Sequence, residues 1–90
     1  MSSQVFVNPE EIDRFIAEIN NFLESLSSST SRLNHSFETL ADSWQDRKRH
    51  EFEEQYKELL QVLKQFENSS EEKVQHLNVL SHRAKDYLGS

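Results

Sequence analysis

Residues 35–56 read HSFETLADSWQDRKRHEFEEQY, and Trp44, the only tryptophan of the chain, stands near their middle. On its N-terminal side apolar residues recur every three or four positions, and the same spacing starts again after a short polar run. This spacing is that of one face of an α-helix, so the stretch contains the end of one amphipathic helix and the start of another. So short a joint predicts that the two helices run antiparallel.

The pattern before Trp44 extends back almost to the N-terminus. It has two tracks with a seven-residue repeat, which are Ile12, Ile19, Leu26, Leu33 and Leu40, and Ile16, Leu23, Thr30, Phe37 and Trp44. Residues 8–11, Asn-Pro-Glu-Glu, supply a helix start, because Asn caps free amides, Pro fits the first position and carboxylates favour that end of the dipole. We therefore predict a first helix over about residues 9–42.

A serine-rich stretch, SLSSSTS at residues 25–31, is the weakest part of this helix, because Ser and Thr side chains compete for backbone hydrogen bonds. A loop is the alternative there, but the apolar repeat keeps its phase through the stretch, which favours a helix. A third track, large early and small later, contains Phe15, Phe22, Ser29, Ser36 and Ser43. It predicts a wide apolar stripe near the N-terminus and close backbone approach nearer the joint.

The pattern after the joint also has two tracks. One contains Phe52, Leu59, Phe66, Leu80 and Tyr87, and its neighbour contains Tyr56, Leu63, Leu77 and Ala84. Ser70 and Lys73 interrupt them, and residues 69–72 match a capping box, so a kink or short break is an alternative to one helix. We predict one long helix over about residues 48–87, joined to the first by a turn over about 43–47.

The predicted fold class is all-α, with two long antiparallel helices forming one hairpin domain over residues 1–90. A chain of 90 residues with 34% hydrophobic residues has a marginal core, and a lone hairpin leaves apolar flanks exposed. Packing two hairpins into a four-helix bundle removes both problems, so we predict dimerisation. The residues assigned to the core and dimer seam are Ile12, Ile16, Ile19, Leu23, Leu26, Leu33, Phe37, Leu40, Phe52, Tyr56, Leu59, Leu63, Phe66, Leu77 and Leu80.

The turn itself consists of Trp44, Gln45 and Asp46. A tryptophan at this joint covers the end of the seam with a large apolar body, while its indole N–H bonds to a carbonyl or to water. Asp46 has two candidate roles: it accepts an amide hydrogen bond as N-cap of the second helix, or it adopts the left-handed conformation that a tight reversal needs.

These residues resemble the WXG family, the small helical-hairpin proteins of bacterial type VII secretion, in which a Trp-x-Gly turn joins two amphipathic helices. The resemblance rests on Phe37, Leu40, Ala41, Trp44 and Phe52, and on the length, the acidic character and the absence of Cys. The hairpin periodicity extends it over nearly the whole chain. The third position of the motif departs from the family, because Asp46 stands there instead of glycine.

The resemblance implies a non-enzymatic secretion substrate or helper that forms a homodimer or a paralogous heterodimer and binds secretion machinery or a larger client. It also implies secretion without a cleaved leader. Many exported members carry Tyr-x-x-x-Asp/Glu beyond the second helix, whereas here Tyr56 is followed at the fourth position by Leu60, and only residues 88–90 follow Tyr87. The alternative is a cytoplasmic hairpin adaptor whose groove accepts a helix of another protein.

Composition argues against other classes of function. The net charge of −6 disfavours nucleic acid and anionic membranes as partners, and no run approaches the length of a membrane span. His76 and His82 lie six positions apart and face different sides of a helix, so we predict no metal. With one Gly, no Cys and no buried acid pair, we predict neither a cofactor nor an enzyme.

The sequence RKRH at residues 47–50 is the sharpest charge feature. Its ordinary interpretation is a solvated run whose cations reach nearby carboxylates such as Glu51, Glu53 and Asp42. The functional alternative is a basic hairpin tip, formed by Arg47, Lys48 and Arg49, that binds an acidic partner.

Overall fold

A computed structural model describes residues 7–89, which form two helices and a short connection. Helix α1 spans Pro9–Ser43 and helix α2 spans Arg47–Gly89, so each lies within one or two residues of its predicted ends. They run antiparallel as a hairpin of 67 × 21 × 15 Å, and the part of the chain that is described contains no strand. The predicted all-α hairpin is confirmed.

Local hydrogen bonds explain where α1 begins and ends. The side-chain oxygen of Asn8 accepts from the backbone N–H of Glu10 at 2.9 Å, and Pro9 occupies the first helical position. At the other end Trp44 is extended, with φ −100° and ψ 99°, and its backbone N–H bonds to the carbonyl of Ala41 at 3.3 Å. Helix α1 therefore ends before Trp44, where the chain begins the turn that reverses its direction.

Both serine-containing stretches are helical. In α1, Ser29 accepts a hydrogen bond from the Arg32 guanidinium at 3.1 Å, and in α2, Ser69 accepts one from the Lys73 ammonium at 3.0 Å. These two hydroxyls bind neighbouring side chains, and α2 runs through residues 69–72 without a break.

The seam between the helices is thin. Among the described hydrophobic residues, Ile16, Ala41 and Tyr56 are buried. Half-buried residues complete the seam, and they include Ile12, Ile19, Leu23, Leu26 and Phe37 of α1, Trp44 of the turn, and Leu60, Leu63, Val74, Leu77 and Ala84 of α2. In the two main tracks of each helix, seven other members are exposed: Leu33, Leu40, Phe52, Leu59, Phe66, Leu80 and Tyr87. The hairpin by itself covers only part of its apolar surface.

Helical geometry explains which residues of α1 leave the seam. A straight α-helix has 3.6 residues per turn, so a strict seven-residue repeat rotates by about 20° per heptad around it. By Leu33 and Leu40 the first track has turned out of the seam, and both residues are exposed. Asn34 and Ala41, one position further on, take their places against α2.

Candidate protein-binding site

Eight of the exposed large apolar residues form one surface, which we call the apolar face. Its main members are Phe15, Phe22, Leu33 and Leu40 of α1 and Phe52, Leu59, Phe66 and Leu80 of α2. At 100° per residue, each set lies beside the seam on the same side of the hairpin. Phe22 and Phe66 meet across the seam with ring centroids 6.0 Å apart, although they are 54% and 46% exposed.

An open groove crosses the apolar face in the half of the hairpin towards its free ends. Its volume is about 280 Å³, and its lining residues are Phe15, Glu18, Ile19, Phe22, Phe66, Ser70 and Lys73. Small-molecule sites enclose most of their ligand and converge several polar groups on it, whereas this groove is a shallow apolar strip with charge only at its edges. A continuous exposed apolar surface of this kind is typical of protein–protein interfaces.

Aromatic contacts extend the apolar face to the hairpin tip. Phe37 stacks on Tyr56 with centroids 4.6 Å apart, and Phe52 lies 6.1 Å from Phe37 and 5.8 Å from Trp44. Aromatic pairs at these centroid distances add stabilisation beyond their buried area. The exposed ring of Phe52 is therefore held in place by rings from the other helix and from the turn.

The turn is closed by Asp46. One carboxylate oxygen, Oδ1, accepts hydrogen bonds from the Trp44 indole N–H at 3.0 Å and from the Lys48 backbone N–H at 2.8 Å. The structure thus shows the capping role, and no residue in 7–89 has the left-handed backbone conformation. The indole acceptor is a carboxylate, whereas the sequence had suggested a carbonyl or water. The Gln45 side chain bonds to the Asp42 carbonyl at 2.9 Å.

The three cations of the predicted basic tip are not equivalent. Arg49 is half-buried and pairs with Glu53 at 3.4 Å within α2, as the ordinary interpretation of the charge run expects. Arg47 and Lys48 are exposed. The structure therefore leaves two cations at the surface of the tip, and an acidic partner there stays a prediction.

A polar contact inside the seam was missed by the sequence analysis. The hydroxyl of the buried Tyr56 donates a hydrogen bond to Asn34 Oδ1 across the two helices. A period of 3.6 in place of 3.5 would have placed Asn34 on the inner face with Phe37 and Ala41. The rotation of the helix is thus the signal that could have identified it.

Replacing Tyr56 by Phe is expected to lower the free energy of unfolding by about 1 kcal/mol, because the Asn34 amide loses its partner. Urea unfolding followed by circular dichroism measures the loss. In an Asn34→Leu background the same replacement should be nearly neutral, since no polar group is then left without a partner. Equal losses in both backgrounds would show that the hydrogen bond contributes nothing.

A second polar contact joins the free ends of the hairpin. Ser81 is 2% exposed and donates to Asp13 Oδ1 at 2.7 Å, while the Lys85 ammonium lies 2.8 Å from Asp13 Oδ2. The hydrogen bond from Lys85 is the main reason that the pKa of Asp13 lies below its usual value of 3.8, followed by the bond from Ser81. Nearby His82 acts in the same direction, and desolvation opposes them.

The stabilising effect of Asp13 should depend on pH and should be lost in acid. Because its pKa is lower in the folded chain, the stabilisation is fully present above the unfolded value of 3.8 and is lost as pH falls through the folded pKa. We expect Asp13→Asn to melt at a lower temperature than the parent chain at neutral pH, with the difference shrinking below pH 3.8. A pH-independent difference in melting temperature would contradict this assignment.

Other kinds of site find no support in the described residues. Within residues 7–89, no group of three or more His, Cys, Asp and Glu side chains gathers in a way that could hold a metal ion. Neither α1 nor α2 contains a segment apolar enough to cross a membrane.

Comparison with known proteins identifies a family. A family model described as "Proteins of 100 residues with WXG" matches residues 4–86, which include both helices almost entirely and the turn at Trp44. No curated protein and no solved structure matches the chain.

Proposed function

The chain belongs to the WXG100 family, and from this premise we propose that it is a non-enzymatic component of a type VII-like secretion route that acts by dimerising and binding other proteins. The family consists of small helical proteins associated with type VII secretion, and its members typically form dimers. A role as secretion substrate or as helper for a larger client fits a chain with two long helices.

The observation that carries the proposal is the apolar face. Phe15 and Phe22 are 58% and 54% exposed, and α2 contributes Phe52, Leu59 and Phe66 beside them. Monomeric soluble proteins rarely expose contiguous apolar surface on this scale. Because burial of such surface is the main favourable term in association, we propose that a second hairpin covers it to give a four-helix bundle.

The distribution of side-chain sizes favours a second copy of this chain as the occupant. Along α1 the flank of the apolar face carries Phe15 and Phe22 towards the free ends and Ser29 and Ser36 towards the tip. A two-fold axis across the middle of Pro9–Ser43, beside Leu26, places Phe22 opposite the second copy's Ser29 and Phe15 opposite its Ser36. Large side chains then face small ones, which is how packed layers interdigitate.

The test is the mass of the purified chain in solution, measured by light scattering over a dilution series with helicity followed in parallel. A helical species of twice 10.6 kDa that persists on dilution supports the bundle. A weakly helical monomer would contradict self-association and direct the search to a paralogous chain, or to the helix of a client bound by a cytoplasmic adaptor.

The orientation of the two copies can be measured separately. The chain contains no Cys, so Gln45→Cys carries a single spin label at the tip. When the two hairpins lie side by side with their tips at opposite ends, the two labels are about 50–60 Å apart, close to the length of α1. When both tips lie at the same end, the labels come within about 25 Å of each other. A short distance between the labels would be consistent with a dimer but would contradict the proposed orientation of its two hairpins.

We further propose that secretion, without a cleaved leader, depends on a partner or on a signal other than one at Tyr56. This tyrosine is buried and its hydroxyl bonds to Asn34, so it is not presented at the surface. The experiment compares culture supernatants of cells with and without the secretion ATPase. Release that requires the ATPase supports export, and retention in the cytoplasm under both conditions favours the adaptor.

A further inference from the structure

At the hairpin tip, one carboxylate ties the tryptophan to the second helix. We infer that Asp46 is a positioning residue: its side chain fixes the Trp44 ring and starts α2, and so does the work of the glycine that the family motif has at this place. Asp46 has this role within a single hairpin, so the role does not depend on dimerisation.

The geometry of Asp46 supports both parts of this role. Its Oδ1 lies 3.0 Å from the Trp44 indole nitrogen and 2.8 Å from the Lys48 backbone nitrogen. These residues are two positions before and two positions after Asp46 in the sequence. Its backbone carbonyl accepts from the Arg49 N–H at 3.2 Å. The side chain and the main chain of one residue therefore pair two backbone N–H groups in the first turn of α2, and the same carboxylate oxygen bonds the indole.

Glycine at this position could not make the two hydrogen bonds of the Asp46 side chain. The backbone at residue 46 lies outside the left-handed region, so it does not require a residue without a Cβ. Glycine would leave the indole N–H and the Lys48 amide to water and would add freedom to the unfolded chain. In this chain the turn is closed by the carboxylate of Asp46, which accepts hydrogen bonds, and not by the conformational freedom of a glycine backbone.

The consequence reaches the apolar face. Trp44 lies 5.8 Å from Phe52, so a carboxylate that fixes the indole also fixes the tip end of that face. Because the indole N–H is already bonded within the chain, a partner at the tip meets the apolar ring and not a free donor. Trp44 thus shapes the surface and does not act as a hydrogen-bond donor in recognition.

The experiment measures exchange of the indole proton and the melting temperature. The single tryptophan gives one indole N–H resonance, so its exchange with solvent can be followed by NMR without ambiguity. We expect exchange at least tenfold faster in Asp46→Ala and Asp46→Gly than in the parent chain and in Asp46→Asn, which keeps an acceptor oxygen. Asp42→Ala, which removes another exposed carboxylate near the tip, is the control and should leave exchange unchanged.

A double-mutant cycle with Trp44→Phe separates the two bonds. Asp46→Ala should lower the melting temperature by about 5 °C in the parent chain, as the loss of an N-cap does in a domain of this size. The decrease should be smaller in the Trp44→Phe background, where no indole N–H remains to be left unpaired. Equal decreases in the two backgrounds, unchanged indole exchange in Asp46→Ala, or full stability of Asp46→Gly would each overturn the inference.

Discussion

Leu59→Asp is expected to convert the proposed dimer into a folded monomer of 10.6 kDa. Leu59 is 46% exposed in the hairpin and lies on the apolar face between Phe52 and Phe66, so a carboxylate there is hydrated in the monomer. In the bundle the same charge would be buried without a partner, at a cost of several kcal/mol. Light scattering should show the mass fall to half, with circular dichroism still helical.

Val79→Asp is the matched control for this substitution. Val79 is as exposed as Leu59, at 45%, but it lies two residues from both Leu77 and Ser81, which face the seam. It therefore projects from the opposite side of α2 and should tolerate the charge in the dimer. A dimer that survives Leu59→Asp, or one that both substitutions dissociate, would mean that the apolar face is not the interface.

Leu26→Asp should unfold the hairpin itself. Leu26 lies at the middle of α1 in the seam, where a carboxylate would lose water and find an apolar helix opposite. Removal of the leucine and burial of the charge together cost about 4 kcal/mol or more, a large part of the stability of a small domain. Loss of the helical signal in circular dichroism at 25 °C is the expected result.

The control for Leu26→Asp is Ser28→Asp, which adds the same charge two residues away on an exposed position of α1. It should remain helical, because the carboxylate stays in water. If Leu26→Asp were equally helical and equally stable, the seam would have been assigned to the wrong face of α1.

The helices were predictable because their signals are local. The cap at Asn8, the apolar period and the polar joint after Trp44 each depend on residues within one or two turns of each other. Which apolar track lies inside was not predictable to the same degree. Two neighbouring tracks in each helix satisfy a seven-residue repeat, and the gradual rotation of a straight helix decides between Leu33 and Asn34, or Leu40 and Ala41.

The polar contacts of the seam were beyond the reach of a single sequence. The hydrogen bond between Asp13 and Ser81 joins residues 68 positions apart, so it depends on the register of the two helices. The two roles of Asp46 differ in how far the sequence predicts them. Its capping role follows from its position before a helix, but its bond to the Trp44 indole depends on how the chain leaves α1.

The two ties across the seam, at Asn34–Tyr56 and at Asp13–Ser81, have a consequence for the thermodynamics of binding. Sliding α2 along α1 by one turn would displace it by about 5.4 Å and break both ties at once. The apolar side chains that α1 and α2 contribute to the apolar face therefore have fixed relative positions along the hairpin before a partner binds. Little conformational entropy is then lost on association, and more of the apolar burial appears as affinity.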